Sequence, residues 1–432
     1  MKTIAEAPLP AARLDRNFYL LIGGSFVSML GDQFTLVALP WLVLKLTGSA
    51  VALGTVLALM AVPRALFMLI GGAVVDRLTP LRVLLVARST NALLIALLAG
   101  LVWSGGIQLW MLYGLALAIG TATAFVYPAG SAILPQVAAP EKLAAANGIV
   151  MALRQLSLFV GPGLAGLVIA LFAGTATGAV PDASGIAVAF TVDAVSFVAS
   201  IVSLLVIRVR ETEPSTRPVR NVFGSIAEGC RYVWRDVPLR AFMLYVAAAS
   251  LFVSGPIQVG LPVLADRRLD WGAAAYGTLI SATGGGALLG TLIAGVAAGL
   301  VGRRLGLIVL LADGCNGLLV IAFGSIHATW LGALIMFVVG TLGGIIQVSI
   351  FTWIQRRVAP EMMGRAMSLL MFTFMGLGPI SAAAGGVMLA RIGVTGLFAA
   401  AGAMLVLIVA FSLTRPSLRG IRMEARPAAT AA

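Results

Sequence analysis

Ionisable side chains make up only 10% of this 432-residue sequence, and three of them interrupt long apolar runs. At 1.5 Å per residue, Asp32 falls near the middle of the run 17–45, Arg64 near the middle of 50–75, and Arg154, beside Gln155, about three turns into 143–173. An ionised group at membrane depth costs at least ~2.5 kcal/mol on insertion scales, which makes each a candidate functional residue. A carboxylate can take up and release a proton, and exchanging an apolar wall for an arginine neighbour changes its proton affinity. Asp32 is therefore the candidate coupling carboxylate, with Arg64 and Arg154 as its partners or as anchors for an anionic ligand. The competing reading is a static ion pair that locks helices together. Asp193 and Asp313 fall nearer the ends of their runs, and Asp313 is given no role.

Uncharged polar and aromatic residues recur at similar depth. Gln33, Gln155, Gln258 and Gln347 could line a cavity with hydrogen-bonding amides, and Phe34, Tyr127, Phe252, Phe372 and Met375 could add adaptable apolar surface. No catalytic constellation accompanies them. The sequence has one histidine, His327, and two widely separated cysteines, Cys230 and Cys315, which fit neither a metal site nor a redox pair. It also lacks a phosphate-binding glycine-lysine loop. An enzyme, an ATP-driven pump, a bound metal and a cofactor are all disfavoured.

The elements that must position these residues are membrane helices. A soluble domain is about 45–50% apolar and about 25% charged, whereas this chain is 60% hydrophobic with a mean hydropathy of +1.05. Runs near 17–45, 50–75, 82–103, 108–134, 143–173 and 185–207 are long enough to span a bilayer. So are 239–265, 273–301, 305–325, 329–354, 364–391 and 395–414. The first run is too long for a signal-peptide core and is followed by no cleavage site, so it reads as a span.

The net charge of +13 follows topology rather than nucleic-acid binding, because the basic residues punctuate the apolar runs. With the N-terminus in the cytoplasm, the inside receives Lys2, Arg13, Arg16, Arg77, Arg82, Arg88 and Lys142. It also receives the groups Arg208–Arg240, Arg303–Arg304, Arg356–Arg365 and Arg415–Arg426, against Lys45, Arg267, Arg268 and Arg391 outside. That bias places both termini in the cytoplasm. The chain divides into a six-helix half 1–207, a linker 208–238, a second half 239–414 and a tail 415–432. Within the linker, Phe223, Ile226, Cys230, Val233 and Val237 recur at steps of three and four, predicting an amphipathic helix on the membrane surface. A cytoplasmic extension of the seventh span is the alternative.

The halves repeat each other. Leu39-Pro40 returns as Leu261-Pro262, Gly54-Thr55 as Gly277-Thr278, Gly72 as Gly295, and Asn91 with its following leucines as Asn316. Ala139-Pro140-Glu141 returns as Ala359-Pro360-Glu361, and Gly161-Pro162 as Gly378-Pro379. Six pairs in order, at drifting but similar offsets, indicate a parallel internal repeat. Two such halves suit a rocking carrier with its binding site at the midplane between them.

Along essentially its whole length the chain resembles the major facilitator superfamily. The stretch Gly72-Ala-Val-Val-Asp76-Arg77-Leu-Thr-Pro-Leu-Arg82 matches the family's loop signature at Gly72, Asp76 and Arg77, with Arg82 compatible. It departs at Thr79, Pro80 and Leu81. The resemblance implies an all-α fold of twelve membrane helices, with this loop acting as a conformational latch. Gly31-Asp32-Gln33, Ala38-Leu-Pro-Trp41, Leu46-Thr-Gly-Ser49, Leu134-Pro135 and Ala145-Ala-Asn147 look like the enterobactin-exporter and macrolide-efflux branch. The run Gly161-Pro162-Gly163-Leu-Ala-Gly166 is similar to a fifth-span signature of exporters, with Gly161, Pro162 and Gly166 as its hinge. Leu117 stands where many drug–proton antiporters carry an arginine, so proton coupling is not implied by that motif.

The Arg-rich, Lys-poor, Ala-rich composition fits a bacterial inner membrane, and what the resemblance implies is a monomeric exporter. It would move a small hydrophobic or amphiphilic compound such as a drug, macrolide or siderophore, with protons and membrane lipid as its other partners and no nucleic acid. An importer or lipid-handling carrier of the same fold is the alternative, and a membrane sensor without transport is the rival from another class.

Overall fold

The computed structural model describes residues 15–174, 180–207, 222–296 and 304–422, and those residues form helices joined by short turns, with no strand among them. The first half comprises α1 (Arg16–Thr47), α2 (Ala50–Arg77), α3 (Pro80–Trp103), α4 (Leu109–Thr123), α5 (Val126–Val137), α6 (Leu143–Leu171) and α7 (Ala183–Val206). After the linker come α8 (Val222–Arg235), α9 (Val237–Arg268), α10 (Gly272–Val296), α11 (Leu305–Phe323) and α12 (Thr329–Arg357). The chain continues through α13 (Pro360–Gly376) and α14 (Gly378–Leu413) to the short α15 (Pro416–Arg419). Lys2, Arg13, Arg303, Arg426 and the proline-bearing linker from Arg208 to Arg220 lie outside the described residues.

Eleven stretches among the described residues are long and apolar enough to cross a membrane, and α4 with α5 forms one of them. The last runs from Met362 to Leu413 over 52 residues. At 1.5 Å per residue that is roughly 78 Å, more than twice a hydrocarbon core of about 30 Å. It reverses at Gly393, whose φ of 69° is a conformation that glycine adopts without strain. The crossings among the described residues therefore number twelve, as the sequence predicts, and the chain is a multi-pass membrane protein. Large apolar side chains such as Leu93, Leu171, Leu205, Leu318 and Leu407 are left exposed on its flanks, where lipid would cover them.

The turns are built by local chemistry. Gly48 adopts the left-handed conformation after α1, and Ser49 Oγ then caps α2 by accepting from Ala52 N–H at 3.3 Å. Asp236 caps α9 through Leu239 N–H at 3.1 Å and is held by Arg357 with two 2.8 Å bonds. Its extended backbone separates α8 from α9. Helix α8 packs against α13, with Glu228 paired to Arg365 at 3.0 Å and Val233 buried in the core of the second half. The side chains of Phe223 and Ile226 lie outside those described.

The core has three parts, and their arrangement fixes the architecture. One large cluster draws on both halves, joining Phe34, Trp41 and Phe190 to Leu264, Tyr276 and Phe398. The other two keep to one half each: Phe18, Leu84 and Ile133 in the first, and Phe242, Trp353 and Leu418 in the second. The shared core lies at the end where α1 turns into α2 and α9 into α10. The separate cores lie at the end that carries α5, α8, α13 and α15. The halves are thus fused at one end and distinct at the other.

The fused end is held by two helix pairs, α6 with α10 and α2 with α14. The internal repeat relates α2 to α10 and α6 to the start of α14, so these are the same contact made twice. Both are backbone-close. A methyl group at Gly54 would stand 2.7 Å from Ala382 O, and one at Gly386 2.6 Å from Ala50 O. On the other pair, a methyl at Gly166 would strike Ala273 O and one at Gly277 would strike Pro162 O. Gly163 N–H donates to Ser281 Oγ at 2.7 Å across the same pair. Small residues at these positions allow an approach that larger ones would forbid.

Candidate functional site

Asp32 sits in the middle of α1 and keeps accessible surface although protein surrounds it, the combination expected of a group facing an internal cleft. The cations that act on it are Arg88 and Arg64, and none forms a direct ion pair with it among the described residues. Arg64, halfway along α2, is also accessible. Arg154 on α6 is half-buried and faces the like charge of Arg64. Arg88, which was not among the expected partners, joins Arg64 in acting on Asp32.

Arg88 is the residue that sequence reading misplaces. Positive-inside counting assigns it to a cytoplasmic loop, but α3 begins at Pro80 and carries Arg88 two turns inward, where only 5% of it is exposed. Its Nη2 donates to Ser25 Oγ on α1 at 3.1 Å, while Nε and Nη1 are buried with no partner among the described residues. Unpaired buried donors are costly. The site therefore holds a guanidinium with unused hydrogen-bonding capacity within electrostatic range of a carboxylate. The signal was available in the apolar residues Val83 to Ala87 that precede Arg88.

Asp193 is likewise deeper than expected, in the middle of α7 and 1% exposed. Thr35 of α1 donates to its Oδ2 and Ser196 to its Oδ1, and Gly31 leaves room for the pair because a methyl there would collide with both acceptor and Ser196. Asp193 thus fastens α7 to α1 behind Asp32. Asp313, expected near a membrane face, is in the middle of α11 and accepts from Tyr245 Oη at 2.5 Å.

The glycine-proline run of α6 bears on the same place. Gly161 lies against Gln33, and a methyl there would stand 2.6 Å from Gln33 Cβ. Ser157 donates to Met29 O at 2.7 Å. Gln33 Nε2 donates to Met29 O at 3.4 Å and leaves its buried Oε1 unpaired among the described residues. Pro162 and Gly166 form the contact with α10 described above.

The remaining candidates divide. Tyr127, Phe252, Gln258, Gln347 and Phe372 are accessible, and Gln155 is half-buried beside Arg154. Phe34 does not join them: it is 7% exposed and belongs to the shared core. The side chains of Gly72, Asp76, Arg77 and Met375 lie outside those described, and Arg82 is exposed in the first turn of α3.

At the fused end, sequence reading missed a charged cluster that crosses the two halves. Lys45 at the end of α1 meets Asp266 of α9, and Asp182 before α7 accepts from Trp41 Nε1 at 3.1 Å. Trp41 stacks on Tyr276 of α10, with ring centroids 6.4 Å apart and planes at 17°.

Comparison with known proteins agrees with this architecture. The family profile described as the Major Facilitator Superfamily matches residues 21–383. The multidrug efflux pump Tap of Mycolicibacterium fortuitum is 27% identical over 94% of this chain and 98% of its own length. Macrolide efflux protein A of Streptococcus pyogenes is 25% identical over 94% and 96% of the two chains. The enterobactin exporter EntS of Shigella flexneri is 26% identical over 79% and 77%. Among solved structures, a variant of the nucleoside transporter NupG superposes with a TM-score of 0.75 at 11% identity, covering 92% of this chain and 99% of that one.

Proposed function

The chain belongs to the Major Facilitator Superfamily and is a membrane transporter rather than an enzyme, and from that premise we propose that it exports a small hydrophobic or amphiphilic compound in exchange for protons. A drug, macrolide or siderophore is the cargo class, and the membrane is a bacterial inner membrane with both termini in the cytoplasm. The observation that carries the proposal is the pairing of one shared core with two separate ones, with Asp32 at mid-depth between them. With the termini inside, the fused end faces outward and the cleft opens to the cytoplasm. That is the posture in which an exporter loads.

The halves 1–207 and 239–414 are the rocking units in this mechanism. Facing inward, ionised Asp32 is balanced by Arg88 and Arg64, and cargo enters the cleft. The halves then part at the fused end and close at the other, so cargo leaves outward and a proton reaches Asp32. A neutral Asp32 releases the two arginines and lets the empty carrier return, after which the proton is shed inside. Each inward charge draws on the membrane potential, about 2.3 kcal/mol per 100 mV. The similarity of the chain to three efflux proteins along most of their length supports the outward direction.

The test is uptake of a fluorescent amphiphile into inverted membrane vesicles energised by respiration. Accumulation that depends on this protein and collapses with an uncoupler is expected. Accumulation that persists with the uncoupler, or that runs the other way, contradicts proton-driven export.

A further inference from the structure

The second half contains a cavity of ≈ 290 Å³ whose polar wall is formed by Tyr245, Ser250 and Ser254 of α9, Asp313 and Asn316 of α11, and Gln347 of α12. The rest of the wall is aliphatic apart from the ring of Phe374. Its volume is at the lower end of the range for small-molecule pockets, roughly 300–1,000 Å³. It shares no lining residue with the Asp32 cluster.

The charge of this cavity is one-sided. Tyr245 spends its only O–H on Asp313 Oδ2 at 2.5 Å, and Asn316 Nδ2 reaches Asp313 Oδ1 at 3.4 Å. Asn316 is 7% exposed, and its Oδ1 has no partner among the described residues. No lysine, arginine or histidine lines the cavity. Ser250, Ser254 and Gln347 can donate as well as accept, but the only formal charge in the wall is the Asp313 carboxylate, and the acceptors left are its further lone pairs, Asn316 Oδ1 and the amide oxygen of exposed Gln347. An anionic guest would be repelled, and a neutral one would leave the carboxylate unbalanced in a low-dielectric wall. An inorganic divalent cation needs several oxygen ligands, and no cluster of three or more acidic, histidine or cysteine side chains exists among the described residues. The chemistry that fits is a group with a positive charge and several N–H donors on an apolar body.

We infer that this cavity is a subsite for the protonated amine of an amphiphilic cargo, with Asp313 as its counter-charge and Asn316 and Gln347 as additional acceptors. The inference gives the proposed export reading a cargo class and rests on that reading only for its physiological sense. It also explains a divergence between the repeats. Asp313 stands at the position matched by Arg88 in the first half, so one half presents a cation beside the proton-handling carboxylate and the other presents an anion to cargo.

The test uses the intact purified protein and two matched fluorescent probes, dansylcadaverine, which carries a primary ammonium, and its neutral N-acetyl derivative. Equilibrium binding is followed by fluorescence. The wild type is expected to prefer the cationic probe by at least tenfold. That preference should vanish in Asp313→Asn, persist in weakened form in Asp313→Glu, and survive Tyr245→Phe. A diazirine-bearing alkylamine, applied to unmutated protein, should label the segments Tyr245–Ser254 and Asp313–Val320, a readout that does not depend on any variant folding. No preference in the wild type, equal loss of both probes in Asp313→Asn, or labelling confined to α1 and α2 would overturn the subsite. If the preference and labelling are found but vesicles move neither probe, the subsite stands and the export reading fails.

Discussion

Lys45 Nζ stands 2.7 Å from Asp266 Oδ1, so a single ammonium ties the last turn of the first span to the last turn of the seventh. It also lies 3.8 Å from Asp182 and 4.9 Å above the Trp41 ring. The two halves therefore meet through charge as well as through apolar packing, and the charge is accessible enough to be released. Side-chain exposures of 22% and 25% place the pair at the solvated margin of the shared core.

Removing this tie should loosen the fused end without unfolding the protein. A partly exposed pair contributes ~1 kcal/mol, which corresponds to a factor of about five in a two-state equilibrium. In Lys45→Met, spin labels at Val51 and Trp271, both exposed at this end on opposite halves, should show about fivefold more of the separated population. The swap Lys45→Asp with Asp266→Lys should restore the original distribution. An unchanged distribution in Lys45→Met would mean that packing alone holds this end.

Asp182 stores strain beside that tie. Its φ of 59° is the only left-handed value at a non-glycine residue among those described, and such a backbone costs an L-residue ~1–2 kcal/mol. Asp182→Gly and Asp182→Ala both lose the bond to Trp41, so the difference between them isolates the backbone. Thermal unfolding should place the alanine variant below the glycine variant by about 1 kcal/mol. Equal stabilities would remove the strain argument.

Close backbone contact between the halves makes a sharper demand. Gly386→Val would force a side chain against Ala50 O, and overpacking of this kind costs typically ~1–3 kcal/mol. Transport should be lost and the separated population of the Val51–Trp271 label pair should rise. Gly148→Ala, where an added methyl meets nothing within 4 Å, should transport as the wild type does. Loss in both variants would point to general sensitivity of the bundle instead.

Much of this was legible in the sequence. Pro40 and Pro262 are buried within α1 and α9 as the repeat requires, and the last apolar stretch divides near Gly393 between the spans placed at 364–391 and 395–414. Composition and the repeat determine these features, because a bilayer dictates helix length and exposure. The site was less legible. Arg88 was hidden because counting positive charge by loop treats an arginine close to a helix start as outside the membrane. Asp313 and Asp193 were placed too shallow because run boundaries, not helix caps, set the estimate of depth. The Lys45–Asp266 contact joins residues far apart in the chain, and spacing carries no information about it.

Arg88 calls for its own variant because its Nε and Nη1 are buried with no partner among the described residues. Arg88→Met removes a buried charge and should leave a folded, monodisperse protein, since replacing a buried ion with an apolar group is often close to neutral. Proton-driven export should nevertheless fall by at least tenfold, with Arg88→Lys intermediate. Full export in Arg88→Met would leave Arg64 as the sole counter-charge of Asp32.

The central claim is that Asp32 couples proton entry to cargo exit, and Asp32→Asn tested in two transport modes addresses it most directly. In proteoliposomes, the variant should still exchange labelled for unlabelled cargo at a rate near that of the wild type, because exchange needs no net proton movement. It should fail to accumulate cargo against its gradient when a pH difference is imposed. Accumulation by Asp32→Asn equal to that of the wild type would place the coupling elsewhere and contradict the account.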